Sequence, residues 1–113
     1  MTTIKELETI EEWQNLLEAS TERKVFLFKH STTCPISSAA DKEFRAFASD
    51  YNGSDADFAF LKVRESRPVS NAISEDLSVK HESPQIFILE NKEVKWSDSH
   101  WNITKKKIED AIS

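Results

Sequence analysis

A chain of 113 residues is long enough for one hydrophobic core and too short for two, so we expect a single domain over residues 1–113. The net charge of −5 disfavours nucleic acid as a partner, because a protein that binds phosphates presents a basic face. No stretch approaches the roughly 20 apolar residues of a membrane span, and the N-terminal stretch lacks the apolar segment of a signal peptide. We therefore expect a cytoplasmic protein with no membrane partner.

The N-terminal half predicts a helix, a strand and a longer helix. Thr9 and Glu12 have the spacing of a capping box, and the apolar residues that follow predict a first helix over residues 10–19. The apolar run Val25–Lys29 predicts a central strand buried on both faces. Apolar residues spaced by three and four then predict a helix that ends in a left-handed cap at Asn52-Gly53.

The C-terminal half predicts a strand, a helix, a hairpin and a last helix. Phe58–Val63 is an apolar run of strand length, and Pro68 suits the first turn of a helix. The runs Gln85–Leu89 and Glu93–Ser97 flank a short turn and predict a hairpin. The predicted order is α-β-α-β-α-β-β-α. It describes an α/β protein with a four-stranded mixed sheet, two parallel strands plus an antiparallel hairpin, and helices on both faces.

The only cysteine of the chain lies where the first predicted strand gives way to a helix. A helix N-terminus offers free N–H groups and a positive dipole end, which favour a thiolate, the reactive form of cysteine. Pro35 suits the first helical turn, and the hydroxyl groups of Thr33 and Ser37 are candidates to cap the helix or to donate to sulfur. The alternative is a structural cysteine in the packed interior. The polar neighbours of Cys34 favour a reactive thiol.

The Cys34-Pro35-Ile36-Ser37 motif at the start of a helix, together with Ser83-Pro84-Gln85 at the start of a strand, resembles the thioredoxin fold. The resemblance implies that Pro84 follows a cis peptide bond and faces Cys34. It also implies that the backbone of Ser83 pairs with an extended substrate. The alternative is an ordinary trans proline at the start of a strand.

The segments Lys29–Ser37 and Ser99–Thr104 are similar to those of the YtxJ-like bacillithiol system redox-active proteins, the monothiol bacilliredoxins. This resemblance implies reduction of protein–bacillithiol mixed disulfides, with Cys34 as the sole redox-active thiol. Bacillithiol would be a co-substrate and not a permanently bound cofactor. The implied partners are bacillithiolated client proteins and a low-molecular-weight thiol with its reductase system. Ser37 stands where a thioredoxin has its second cysteine, which favours a one-thiol cycle.

We assign catalytic roles to Cys34 and Ser37, the latter as a hydroxyl donor to the thiolate; the alternative for Ser37 is an exposed serine of the first helical turn. His100 and Trp101 are candidates to line a site for a thiol-sugar, because an imidazole can bind a carboxylate and an indole suits a sugar ring. The alternative for Trp101 is a core aromatic residue. The candidate substrate-binding residues are Thr32, Thr33, Pro35, Ile36, Ser83, Pro84, His100 and Trp101. His30, Arg64 and His81 are further candidates to flank the site.

Three lysines, Lys105–Lys107, predict either an anion site for the malate group of bacillithiol or a solvated helix face. We expect no metal site, because Cys34 and the histidines lack the ligand spacing of structural zinc.

Two alternative functions remain open. One is a non-catalytic thioredoxin-like stress or adaptor protein whose cysteine is only modified. The other is an iron–sulfur protein similar to monothiol glutaredoxins.

Overall fold

The computed structural model describes residues 3–51 and 55–112, which form an α/β protein. The strands and helices of this part of the chain alternate until a final hairpin. They are β1 (Ile4–Glu6), α1 (Ile10–Ala19), β2 (Lys24–His30), α2 (Pro35–Asp50), β3 (Ala56–Lys62), α3 (Arg67–Leu77), β4 (Gln85–Glu90), β5 (Glu93–Ser99), a short 3₁₀ helix (His100–Asn102) and α4 (Lys105–Ile112).

The described residues form a five-stranded mixed sheet in the order β1-β3-β2-β4-β5, so the predicted four-stranded sheet is wrong. The additional strand, β1, pairs in parallel with β3 from Ile4 opposite Phe58 to Glu6 opposite Phe60. Strand β1 has three residues and is only partly buried. The sequence Ile4-Lys5-Glu6 contains neither an apolar run nor a strand-length alternation of apolar and polar residues that would identify it. Backbone pairing with β3, rather than local hydrophobic patterning, defines this strand.

Strand β2 is the centre of the fold. It pairs in parallel with β3 and antiparallel with β4, and every residue from Val25 to Lys29 is buried, as the apolar run predicted. Side chains on one face of the sheet, including Leu27, pack in a cluster with α1 and α3. Side chains on the other face, including Phe26 and Phe28, pack in a second cluster with α2 and α4. The sheet therefore has helices and apolar cores on both faces.

The sequence predicted the ends of two helices from capping residues. The helix predicted over residues 10–19 is confirmed, and its capping box joins Thr9 to Glu12 through reciprocal hydrogen bonds. Helix α2 ends at Asp50, while the predicted cap at Asn52-Gly53 lies outside the described residues.

Among the helices of the described ranges, none has the length and apolar character needed to cross a membrane.

Lys29 is the unexpected member of the buried strand. Its side chain is fully enclosed, and its ammonium group donates to the Ser70 carbonyl at 3.1 Å and to Ser74 Oγ at 2.9 Å. The third neighbour of Nζ is His81 Nδ1, at 3.2 Å. Burial lowers the pKa of Lys29 to about 8, because removal from water disfavours the charged form.

Lys29 therefore makes the free energy of unfolding depend on pH above neutrality. Between the lowered pKa and the ordinary value near 10.5, the unfolded chain binds more protons at this position than the folded chain does. The stability of the wild type relative to Lys29→Met should rise with pH over that interval, by up to about 3 kcal/mol. Urea denaturation at successive pH values measures this difference. Lys24→Met, which removes a half-buried lysine from the same strand, should show no comparable trend.

Candidate functional site

Cys34 lies at the N-cap of α2, with extended backbone angles of φ −106° and ψ 122°. A tight turn precedes it, in which the Cys34 N–H donates to the Ser31 carbonyl at 3.2 Å, and Pro35 occupies the first turn of the helix. The thiol is half-buried, so the alternative of a cysteine in the packed interior is wrong. Among the described residues, the thiol accepts no capping hydrogen bond from the first turn. Part of Cys34 is therefore exposed at the protein surface.

Ser37 is fully buried beneath the cysteine turn, so the alternative of an exposed serine is wrong. Its Oγ accepts the Ser31 N–H at 2.9 Å and lies 2.7 Å from Nδ1 of His30. Through these contacts Ser37 ties the turn that holds Cys34 to the end of β2. Donation from Ser37 to the thiolate stays a prediction.

His30 is the half-buried last residue of β2, stacked against Phe28 with ring centroids 5.7 Å apart. Burial is the main cause that lowers the pKa of His30, and the nearby Asp41 carboxylate acts against it. The neutral ring therefore predominates at physiological pH. In the tautomer with its hydrogen on Nε2, His30 accepts the hydroxyl hydrogen of Ser37.

The turn that holds Cys34 and the start of β4 lie at the same edge of the sheet. Strand β2 ends at His30 and β4 begins at Gln85, and the two strands are antiparallel with Lys29 opposite Gln85. Pro84 precedes that paired residue, is buried, and follows a cis peptide bond from Ser83. This register brings Pro84 close to the cysteine turn.

The segment after β5 joins the same edge, because the His100 N–H donates to the Pro84 carbonyl at 3.1 Å. The backbone of His100 is left-handed, with φ of 56°, and its Nε2 lies 3.6 Å from a Glu82 carboxylate oxygen. The indole of Trp101 is 69% exposed, so the alternative of a core aromatic residue is wrong. Most of the surface of Trp101 is therefore open to solvent.

Two clefts flank the cysteine turn. The first cleft has a volume of about 530 Å³ and is lined by the predicted residues Pro35, Ile36, His100 and Trp101. The charged side chains that line it are Lys42 and Glu43. The second, of about 340 Å³, is lined by Thr32, Thr33, Arg64 and Glu65. Six of the eight predicted binding residues therefore line these clefts, four in the first and two in the second, while Ser83 and Pro84 line neither of them. The residues immediately before and after Cys34 therefore line two different clefts.

Two of the three lysines at the start of α4, Lys105 and Lys107, have acidic partners in the described part of the chain. Lys105 Nζ pairs with the Asp50 carboxylate, and its backbone N–H donates to Glu43. Lys107 Nζ lies 3.9 Å from an Asp98 oxygen. These partners favour the solvated helix face over an anion site.

The buried hydroxyl of Ser37 gives a stability prediction. Ser37→Ala should lower the free energy of unfolding by about 1–3 kcal/mol, because the Ser31 N–H and the His30 ring lose their buried partner. Urea denaturation provides the measurement, with Ser38→Ala as the matched control, since Ser38 is exposed one position later in the same helix. Equal effects of the two substitutions would contradict the structural role of Ser37.

Comparison with known proteins agrees with this geometry. The sequence model of the family described as monothiol bacilliredoxin BrxC matches residues 5–108. A solved structure described as a candidate oxidoreductase with a thioredoxin fold is 34% identical, with a TM-score of 0.86 over 97% of this chain and 94% of that one.

Thioredoxins share the fold at much lower identity. Thioredoxin of Malassezia sympodialis is 12% identical, with a TM-score of 0.79 over 99% of this chain and 90% of that one. Thioredoxin of Fasciola hepatica is 16% identical, with a TM-score of 0.75 over 96% of each chain. The chain thus belongs to the monothiol bacilliredoxin family and has the thioredoxin fold of a thiol oxidoreductase.

Proposed function

We propose that this protein removes bacillithiol from protein–bacillithiol mixed disulfides by thiol–disulfide exchange at Cys34. The observation that supports it most is the placement of the only cysteine: a half-buried residue at the N-cap of α2, whose neighbours in sequence line two clefts. Membership of the monothiol bacilliredoxin family supports the choice of bacillithiol as the small thiol.

The first exchange needs one thiolate. The Cys34 sulfur attacks the bacillithiol sulfur of the mixed disulfide, the old S–S bond breaks, and the client protein leaves as a thiolate that takes a proton from water. Cys34 then holds bacillithiol in a new disulfide. The backbone dipoles at the start of α2 favour the attacking thiolate, as they favour any anion there.

The second exchange needs a thiol from outside the chain, because Ser37 stands one helical turn from Cys34 where a two-thiol enzyme has its second cysteine. A second bacillithiol thiolate attacks the bacillithiol sulfur on Cys34, which returns the Cys34 thiolate and releases bacillithiol disulfide. A separate reductase system then has to reduce that disulfide.

The substrate is divided between the two clefts in this proposal. The sugar ring of bacillithiol contacts the exposed indole of Trp101, and the His100 imidazole binds a carboxylate of its malate group. The client backbone pairs with Ser83 beside Pro84, as a short added strand. Thr32 and Thr33 line the opposite cleft, where Arg64 adds a cation beside the client protein.

A single-turnover reaction tests the exchange. Reduced protein in excess is mixed with a peptide that bears a bacillithiol mixed disulfide, and intact-mass spectrometry follows bacillithiol. Wild type should gain one bacillithiol as the free peptide appears, whereas Cys34→Ser should gain none. Equal, slow release of the peptide by both proteins would sink the enzymatic proposal and favour an adaptor with a modifiable cysteine.

The role of the indole has its own test in the same reaction. Trp101→Ala should raise the half-saturating protein concentration roughly twofold to twelvefold, for a lost contact of about 0.5–1.5 kcal/mol, and leave the rate at saturation unchanged. Ile10→Ala is the matched control, because it removes an exposed apolar side chain from α1. A change in the saturated rate alone would place Trp101 outside the binding step.

A further inference from the structure

The contacts of Lys29 fix the protonation of His81. An ammonium group has three hydrogens and no lone pair, and Lys29 Nζ has three neighbours within hydrogen-bond distance: the Ser70 carbonyl, Ser74 Oγ and His81 Nδ1. While Lys29 is charged, all three must accept. The Ser70 hydroxyl oxygen also lies 3.4 Å from His81 Nδ1, where it can donate to the same lone pair. His81 Nδ1 therefore presents a lone pair, and its ring is neutral while this contact exists.

His81 belongs to the loop of residues 78–84 that joins α3 to β4 and ends at the cis proline. The Gln85 side chain closes the end of this loop, since it accepts the Glu82 N–H and donates to the Lys80 carbonyl, both at 3.2 Å. A different contact, between His81 and Lys29, holds the middle of the loop. His81 is exposed, and its ring reaches inward to the enclosed ammonium group of Lys29.

We propose that Lys29 and His81 are positioning residues that hold the loop of residues 78–84 in the arrangement that binds substrate. The proposal rests on the proposed function, because the substrate backbone is taken to pair with Ser83 in this loop. Neither residue touches the reacting sulfur atoms in that scheme. Their effect is on binding and not on the exchange step.

The pair makes substrate binding depend on pH. The charged groups around the His81 ring are Lys29 of β2, Arg67 of α3 and Glu82 of its own loop. Burial is the main cause that lowers the pKa of His81, Lys29 and Arg67 lower it further, and Glu82 opposes them. Below that lowered pKa, a protonated Nδ1 no longer accepts from Lys29 and two cations face each other. The contact is therefore present at neutral pH and lost in acid.

The test separates binding from chemistry. Single-turnover transfer from a synthetic peptide with a bacillithiol mixed disulfide is measured against protein concentration, from about pH 7.5 to about pH 5. Effects of pH on the exchange step change the rate at saturation, while the loop changes the half-saturating concentration. For wild type, the half-saturating concentration should rise about fivefold in acid, the effect of losing one hydrogen bond.

Two variants of the exposed histidine distinguish positioning from a general effect of acid. In His81→Asn, an amide oxygen replaces Nδ1 as acceptor and does not titrate, so the half-saturating concentration should stay constant across the range. His81→Leu has no acceptor and should show the raised value at every pH. A flat wild-type profile, or a His81→Leu variant identical to wild type, would overturn the proposal.

A spectroscopic arm tests the pair without substrate. In Lys29→Met, the His81 ring should titrate at a higher pH by NMR than in wild type, because the neighbouring cation is gone. Lys24→Met, at the other end of β2, should leave that titration unchanged. An unchanged His81 titration in Lys29→Met would also overturn the proposal.

The outcomes separate this inference from the function on which it rests. No transfer by wild type at any pH would refute the proposed function, and the positioning role with it. Transfer whose half-saturating concentration ignores both pH and the His81 variants would refute only the positioning role.

Discussion

The antiparallel register of β2 and β4 is the constraint on which the site depends. It sets Lys29 opposite Gln85, so the loop before β4 and the turn after β2 meet at one edge of the sheet. Side chains alternate between faces along a strand, and a slip of one residue would exchange the two buried faces of β4. Both faces of β4 are apolar, so the register depends on which side chains fill each core: Phe87 and Leu89 pack with α1 and α3, and Ile86 and Ile88 pack with α2 and α4. That register determines where Pro84 lies relative to the turn that holds Cys34.

The elements that the sequence predicted are those with a strong local signal. The capping box before α1 and the apolar runs of β2 and β4 identify their elements without tertiary information. Strand β1 has no such signal, because three half-exposed residues become a strand only when β3 provides a partner. Its omission explains why a four-stranded sheet was expected.

The candidate site was predictable to the extent that its residues follow from motif and position. Cys34 and Pro35 mark the start of a helix because of local chemistry, and Pro84 immediately precedes a strand, where its missing N–H is tolerated. The partners of Ser37 and Lys29 were not predictable. Each depends on contacts across elements, and a lysine within an apolar run gives no sign of the acceptors that α3 and the next loop supply.

The buried hydroxyl of Ser37 also limits how this fold can evolve between one-thiol and two-thiol chemistry. A single codon change can put a cysteine at this position, yet sulfur is larger than oxygen and a weaker acceptor. The Ser31 N–H and the His30 ring would both lose a good partner in the interior. A cysteine at this position alone would therefore weaken the turn that holds Cys34, so the contacts of Ser37 favour the single-cysteine sequence independently of the one-thiol cycle.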